Sequence, residues 1–368
     1  MSPLIPHRHA LNALQAYPPG KPIAEVQREF GLASVVKLAS NENPYGPSPK
    51  ALDAIAREAS ELHLYPEASC HYLRQSIAQR LAVSPDQLFF GNGSDEIVAL
   101  LTAAYLEPEH NIVCSQGTFI RYEMGAAAMG ASVKKVPMKN WHHDTQGLAD
   151  AVDDKTRFVF LANPDNPVGT GTSSTDVRAL LDGLPATTFL VLDEAYYEYA
   201  LDWADYPNAV QWLAKYPNLI ICRTFSKAYG LAGLRIGYAI ASPETWDGVE
   251  RIRPPFNVNH LAQVAAAAAL SDDEHLKKTI SGNAAGRAHV FDALTELELD
   301  PVPSLANFIL FGLNRPAMPV YDALLRRGVI IRPMGIYQLP QHLRVSIGLP
   351  NENEIFIEQL SHCLNDAS

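Results

Sequence analysis

Lys227 lies where a lysine can act as a nucleophile. It follows an apolar run at residues 219–222 and precedes a glycine-rich apolar segment at 228–234. A lysine is rarely found inside a protein without a function or a partner. Removal from water lowers the pKa of a lysine, and its neutral amine attacks carbonyl carbons. Taken alone, the segment fits equally well a lysine at a strand end whose stem is buried and whose ammonium reaches solvent.

Two neighbours of Lys227 suit a bound phosphate. Ser226 offers a hydroxyl donor and Arg235 a fixed cation, and phosphate oxygens accept strong hydrogen bonds from such groups. An aldehyde that carries a phosphate and is held by a lysine through its carbonyl is pyridoxal 5'-phosphate. These residues therefore indicate that cofactor.

A second phosphate-binding candidate is the glycine-rich turn at residues 91–96. It lies between an apolar strand at 88–90 and an apolar helix at 97–105. This position offers free backbone N–H groups and the positive end of a helix to an anion. A lone Gly-x-Gly is a weak signal, but these flanks favour phosphate binding over a plain turn.

The candidate residues follow strands of a predicted α/β sheet. Strands and helices alternate between residues 88 and 241, and the strands are almost continuously apolar. This pattern predicts a mostly parallel sheet covered by helices on both faces. The expected strands are 88–90, 111–115, 132–136, 157–162, 188–193, 219–222 and 236–241, and the expected helices include 118–129, 148–152 and 209–215. Ligands gather at the carboxyl ends of such strands, so Asn166, Asp193 and Lys227 are expected to converge on one site.

The pattern along the chain predicts two domains. Residues 37–255 are expected to form a large cofactor-binding domain, and residues 256–368 a smaller α+β domain. We expect the N-terminal segment, residues 1–36, to pack with the small domain. A chain of 368 residues is long enough for two such cores.

Composition excludes several classes of function. The net charge of −11 argues against general binding to nucleic acid or to anionic membranes. No uncharged apolar run reaches 18 residues, so no membrane span is expected. The four cysteines are scattered, which favours neither a zinc site nor a disulfide framework and suggests a reduced cytoplasmic protein. The pair His142-His143 lies in a polar stretch and is expected to be a solvated surface pair, not a metal site.

Several different short motifs are distributed along almost the whole length of the chain. They are S-N-E-N-P-Y-G-P at 40–47, G-N-G-S-D-E at 91–96, N-P-D-N-P-V-G at 163–169, D-E-A-Y at 193–196, S-K-A-Y-G-L at 226–231, R-P-P-F-N-V-N at 253–259, A-N-F at 306–308 and L-R-V-S-I-G at 343–348. With them the chain resembles the fold type I aminotransferases, which have the aspartate-aminotransferase fold and depend on pyridoxal phosphate. More narrowly, it resembles the histidinol-phosphate aminotransferases. The motifs are highly specific for fold and cofactor and less so for substrate.

The resemblance implies a role for each residue at the cofactor. Lys227 would hold the cofactor and move the proton of the substrate α-carbon. Asp193 would keep the ring nitrogen protonated, the alternative being a helix N-cap. Asn166 and Tyr196 would donate to the phenolic oxygen, and Phe119 would stack on the ring unless it is a core residue. The implied phosphate contacts are Gly93, Ser94, Asp95, Ser226, Arg235 and, from a second subunit, Tyr65. A shared site of this kind implies a two-fold homodimer.

The resemblance also implies the substrate contacts. Arg344 would bind the substrate carboxylate through two hydrogen bonds, with Asn43 and Asn307 nearby. The candidates for the far end of the substrate, which carries the phosphate in histidinol phosphate, are Tyr17, Asn92 and Arg332. For Arg332 the alternative is a surface ion pair.

Three departures from the family pattern bear on the site. Gly117 stands where proline is common, Val168 replaces a threonine, and Pro333 replaces an acid seen in some relatives. The expected reaction converts L-histidinol phosphate and 2-oxoglutarate to imidazole-acetol phosphate and L-glutamate, in histidine biosynthesis. An aromatic amino acid aminotransferase and a decarboxylase of a phosphorylated amino acid remain alternatives. A non-catalytic cofactor-binding module is disfavoured because the catalytic residue types are all present.

Overall fold

The computed structural model of the chain describes residues 5, 7–14, 16 and 20–365. The strands are β1 Val36–Lys37, β2 Leu88–Gly91, β3 Asn111–Ser115, β4 Ser132–Val136, β5 Thr156–Ala162, β6 Phe189–Asp193, β7 Leu219–Thr224, β8 Gly237–Ile240, β9 Asp300–Pro301, β10 Phe308–Gly312, β11 Val329–Ile330, β12 Arg332–Pro333 and β13 His342–Ser346. The α-helices are α1 Ile23–Phe30, α2 Pro49–Glu58, α3 His71–Leu81, α4 Ser94–Tyr105, α5 Arg121–Met129, α6 Thr145–Asp150, α7 Ser174–Gly183, α8 Tyr197–Ala200, α9 Trp246–Ile252, α10 His260–Leu270, α11 Asp273–Glu296, α12 Ala317–Arg326 and α13 Pro350–Asn365.

A seven-stranded sheet with the order β2-β8-β7-β6-β5-β3-β4 forms the centre of the larger part of the chain. Strands β3 to β7 run parallel, whereas β8 runs antiparallel to both of its neighbours. The link from β7 to β8, residues 225–236, contains no α-helix, and a parallel crossover usually requires one. The mostly parallel α/β fold expected from the sequence is confirmed, with β8 as the reversed strand of this sheet.

Helices cover both faces of this sheet because successive residues of a strand point to opposite sides. In β6, Leu190 and Leu192 join a core with residues of α2, α3, α7 and α10. Val191, between them, joins a second core with residues of α4, α5 and α9. Burial on both sides explains why these strands are almost continuously apolar in sequence.

The rest of the chain forms a smaller antiparallel sheet with the order β12-β13-β10-β9. It shares an apolar core with α11, α12 and α13. The N-terminal strand β1 pairs in parallel with β11, and α1 contacts α12. A 3-10 turn at His9–Ala13 instead contacts α5, which covers the large sheet. Within the small sheet, Arg332 of β12 lies opposite Arg344 of β13, which places two cations side by side.

Three helices differ from their sequence-based expectation. The helix expected at 118–129 begins at Arg121, since the preceding residues form a loop over the large sheet. The helix expected at 148–152 is α6, which begins earlier because the Asp144 side chain caps it. Residues 209–215 form only a short 3-10 turn, because prolines on both sides leave little room for a helix.

Candidate active site

A cavity of about 570 Å³ opens where β5, β6 and β7 end. The predicted residues that line it are Ser94, Asp95, Phe119, Asn166, Asp193, Tyr196, Ser226, Lys227, Arg235, Arg332 and Arg344. They come from separate strand ends and loops and are far apart in sequence. The fold thus brings together a lysine, a buried carboxylate and several guanidinium groups in one space.

Lys227 is held at the cavity wall by the loop that follows β7. Its Nζ donates a hydrogen bond to the carbonyl oxygen of Ser40 at 3.3 Å. Burial, together with the cations of Arg344 and Arg235, lowers the pKa of Lys227 to about 8, against the opposing effect of the Glu42 carboxylate. A substantial fraction of this amine is therefore neutral near physiological pH, which is the form that attacks a carbonyl.

Asp193 ends β6 and is 5% exposed. It accepts hydrogen bonds from the Tyr122 hydroxyl at 2.7 Å and from the backbone N–H of Ala195 at 3.2 Å. Burial raises the pKa of Asp193 to about 6, and the bond from Tyr122 opposes this rise. A buried carboxylate facing a cavity is suited to a cationic ligand atom, such as a protonated ring nitrogen. Tyr122 was missed from sequence because an aromatic residue on an apolar helix face has the pattern of a core residue.

A hydrogen-bonded group of side chains lies beside Lys227, around the hydroxyl of Tyr196, whose ring centroid is 5.7 Å from Lys227 Nζ. The amides of Asn166 and Asn41 donate to that hydroxyl at 3.1 and 2.9 Å. Arg344 Nη1 donates to Asn166 Oδ1 at 2.5 Å. Burial raises the pKa of Tyr196 to about 12, against the effect of the Arg344 cation. The hydroxyl is therefore protonated at neutral pH and available as a donor.

The turn between β2 and α4 forms a cradle at the other end of the cavity. Gly93 has φ +82°, and a Cβ atom there would lie 2.6 Å from Arg235 Nη2. Ser94 begins α4, so its backbone N–H and those that follow lack helical partners. Asp95 forms an ion pair with Arg121 at 2.6 Å, which offsets its negative charge. The cradle fits a phosphate, and the carboxylate and lysine beyond it fit the ring and aldehyde of pyridoxal phosphate.

Besides Gly93 of the cradle, four predicted residues lie away from the cavity wall. Asn43 donates to the Ala228 carbonyl at 3.0 Å and so holds the chain beside the lysine. Asn307 donates to the Asn41 carbonyl at 3.1 Å, and Asn92 is exposed. Tyr65 is 82% exposed. The prediction for Tyr17 falls outside the residues that the structure describes.

The expectation that both members of the pair His142-His143 lie at the surface is wrong for His143. His142 is exposed, but His143 is 8% exposed and contacts Ser115 Oγ at 2.6 Å through Nδ1. The loop after β4 places the His143 side chain against the ends of β3 and β5. A polar stretch in sequence does not indicate this burial. Residues 20–365 and the described positions before them contain no group of three metal-ligating side chains. In the same part of the chain, no helix combines the length and apolarity needed to cross a membrane.

Comparison with known proteins gives the family. The family described as aminotransferase class I and II matches residues 33–360. Histidinol-phosphate aminotransferase 1 of Nitrosococcus oceani is 45% identical over 356 residues, which are 97% of this chain and 96% of that protein. Histidinol-phosphate aminotransferase 2 of Pseudomonas fluorescens is 47% identical over 353 residues, 95% of each chain. The crystal structure of histidinol-phosphate aminotransferase from Sinorhizobium meliloti in complex with pyridoxal-5'-phosphate superposes with a TM-score of 0.92, at 31% identity over 100% of both chains.

Fold, cavity and relatives define a pyridoxal-phosphate-dependent transaminase of the aspartate-aminotransferase fold. Within that class, the chain belongs to the family of class I and II aminotransferases.

Proposed function

We propose that this protein transfers the amino group of L-histidinol phosphate to 2-oxoglutarate, giving imidazole-acetol phosphate and L-glutamate, as a step of histidine biosynthesis. The observation that carries the proposal is the pair of arginines on neighbouring strands. Arg332 and Arg344 are cross-strand partners, 8% and 7% exposed, and both line the cavity. Like charges placed opposite each other destabilise a sheet, so two buried guanidinium groups that face one cavity indicate an anionic ligand.

The two substrates share the property that this pair would recognise. Histidinol phosphate carries a phosphate, and 2-oxoglutarate carries two carboxylates. A guanidinium group binds either kind of anion through two parallel hydrogen bonds. Arg344 is fixed by Asn166 and by the Ala39 carbonyl at 3.3 Å, so it presents a fixed geometry to each substrate in turn. The names of the relatives, which specify histidinol phosphate, support the same assignment.

The side chains of the cavity have distinct tasks in this reaction. When bound, pyridoxal phosphate supplies an electron sink for the electron pair left at the substrate α-carbon. The Lys227 amine would take the proton from the substrate α-carbon and deliver it to the cofactor carbon C4′, on the other side of the amino nitrogen, a role that suits an amine with a pKa of about 8. Asp193 carries the negative charge that favours a protonated ring nitrogen. Asn166 and Tyr196 donate hydrogen bonds that orient the ring, and Phe119 covers it.

A steady-state assay with matched amino donors tests the substrate. We expect L-histidinol phosphate with 2-oxoglutarate to give a kcat/KM at least about 100-fold above that of L-histidinol, which lacks only the phosphate, since two charged hydrogen bonds would be lost, each worth at least about tenfold. Equal values for the two donors would refute the proposal. L-Phenylalanine and L-tyrosine as better donors would indicate the aromatic aminotransferase instead. Release of CO2 without need for a keto acid would indicate a decarboxylase.

We also propose that the protein is a cytoplasmic homodimer whose two sites are each completed by the other subunit. Tyr65 is 82% exposed and stacks on Phe256 at 4.7 Å between ring centroids. Leu62, Leu64 and Tyr72 around it are also exposed, at 59%, 58% and 78%. Such a concentration of exposed apolar residues suits an interface between copies of the chain. In this arrangement the Tyr65 hydroxyl contacts the cofactor phosphate of the partner subunit.

We further propose that residues 37–255 form the large domain and residues 256–368 the small domain.

A further inference from the structure

A buried network of polar side chains joins the ends of two neighbouring strands beside the cavity. His143 Nε2 lies 3.0 Å from the Ala162 carbonyl at the end of β5, and its Nδ1 lies 2.6 Å from Ser115 Oγ at the end of β3. Both contacts of Nε2, the Ala162 carbonyl and the Asp165 carboxylate at 3.4 Å, are with acceptors. Nε2 therefore carries a proton. Through its two ring nitrogens, His143 is hydrogen-bonded to the ends of both strands.

Asp165 continues the network into the two loops that follow these strands. It is fully buried. Its Oδ1 accepts a hydrogen bond from the Thr118 hydroxyl, and its Oδ2 accepts one from the Val168 backbone N–H at 3.2 Å. Burial raises the pKa of Asp165, while the neighbouring His143 and the bond from Thr118 oppose that rise. A buried carboxylate without these partners would be costly, so Asp165 and His143 depend on each other.

The network ends one residue away from two parts of the cavity wall. Thr118 immediately precedes Phe119, and Asp165 immediately precedes Asn166. Both Phe119 and Asn166 line the cavity. We propose that His143 and Asp165 are a positioning pair that holds Phe119 and Asn166 where they contact pyridoxal phosphate. His143 itself touches neither cofactor nor substrate and acts through Asp165.

The affinity of the cofactor-free protein for pyridoxal phosphate tests this role, because it does not depend on which amine is the substrate. Three variants are compared. His143→Leu removes the hydrogen bonds of the imidazole, and His143→Gln keeps an amide donor. Thr118→Val removes one hydroxyl at nearly constant shape. His142→Leu is the matched control, since His142 is the exposed neighbour. The dissociation constant is measured by absorbance titration at 25 °C, and kcat and the KM for 2-oxoglutarate are measured at saturating cofactor.

We expect His143→Leu to raise the dissociation constant and lower kcat, each about tenfold, the effect of removing one polar neighbour of a buried carboxylate. The KM for 2-oxoglutarate should change less than about threefold, because Arg344 is also held by a backbone carbonyl. His143→Gln should recover most of the loss, and His142→Leu should match the native protein.

A double variant separates positioning from general destabilisation. Thr118→Val and His143→Leu both act on Asp165, so together they should lose less than the product of their separate losses. Multiplied losses, a native dissociation constant in His143→Leu, or an equal loss in His142→Leu would each overturn the proposal. If His143→Leu does not fold, Thr118→Val decides the question, because it removes one hydrogen bond to Asp165, and native affinity in Thr118→Val would refute the proposal.

Discussion

At the scale of single residues, the site holds two groups that burial moves toward their neutral forms. Burial lowers the pKa of Lys227 to about 8 and raises that of Asp193 to about 6. Water no longer stabilises either charge, so both groups lower the stability of the cofactor-free protein when they are ionised. The cost is recovered when a ligand supplies the missing partners. Active sites commonly lower stability in this way.

Asp193→Asn is expected to stabilise the cofactor-free protein at pH 8. The pKa of Asp193 is raised above its unfolded value, so the stability it contributes is present below about pH 4 and is lost as pH rises through about 6. A shift from 3.8 to about 6 corresponds to at most about 3 kcal/mol. The gain in the free energy of unfolding, measured by urea denaturation, should be about 1–3 kcal/mol at pH 8 and should vanish toward pH 4.

The loaded protein should behave in the opposite way. With pyridoxal phosphate bound, the native carboxylate gains a cationic partner, so Asp193→Asn should bind the cofactor more weakly and turn over more slowly. Asp154→Asn, a change at an exposed carboxylate, should alter neither measurement. A variant that is less stable than the native protein at pH 8 without cofactor would contradict the assigned burial cost.

Sequence predicted some site residues and missed others for a physical reason. Lys227 and Asp193 were recognisable because a charged residue at the end of a buried strand, or shortly after it, requires an explanation. Asn41 and not Asn43 lines the cavity, and the choice depends on a backbone turn in which Asn41 has φ 55°. His143 was missed because burial of one side chain in a polar loop depends on contacts with strands distant in sequence.

At the scale of elements, the strands were more predictable than their directions. Long apolar runs identify buried strands, but the direction of β8 depends on the link from β7, which carries the lysine and has no α-helix. The same link lets β8 lie beside β2, so Gly237 of β8 meets the start of α4. A Cβ at Gly237 would lie 2.4 Å from the Ser94 backbone nitrogen. The backbones of β8 and of the start of α4 thus pack closely against each other at the phosphate cradle.

Gly93→Ala is expected to weaken cofactor binding. Gly93 has φ +82°, and the added methyl group would lie 2.6 Å from Arg235 Nη2. The turn or the arginine must therefore move, and a phosphate would lose about one charged hydrogen bond. We expect the dissociation constant for pyridoxal phosphate to rise at least about tenfold, as measured by equilibrium titration.

Gly233→Ala is the matched control for this substitution. A Cβ at Gly233 would have no atom within 4 Å, so the affinity should stay near its native value. Native affinity in Gly93→Ala would show that the cradle does not require a glycine there. An equal loss in both variants would show that the effect comes from the region in general.

At the scale of the whole molecule, a single subunit leaves a predicted cofactor contact unused. The Tyr65 ring is exposed and stacks on Phe256, which has φ 56°. Neither residue lines the cavity of its own subunit. A residue of this kind contributes to a site only if a second subunit brings it there, and a two-fold axis would then place each Tyr65 at the site of the other subunit.

Subunit complementation tests whether Tyr65 acts across the interface. Lys227→Ala should be inactive, and Tyr65→Ala should be impaired at limiting pyridoxal phosphate. In a hybrid of the two, one site combines Lys227 of the Tyr65→Ala subunit with Tyr65 of the Lys227→Ala subunit. Random association makes half of the dimers hybrids with one intact site of two, so co-expression should restore about a quarter of the native activity. If Tyr65 acted within its own subunit, or the protein were a monomer, no site would be intact and the activity would not exceed that of the two parent variants.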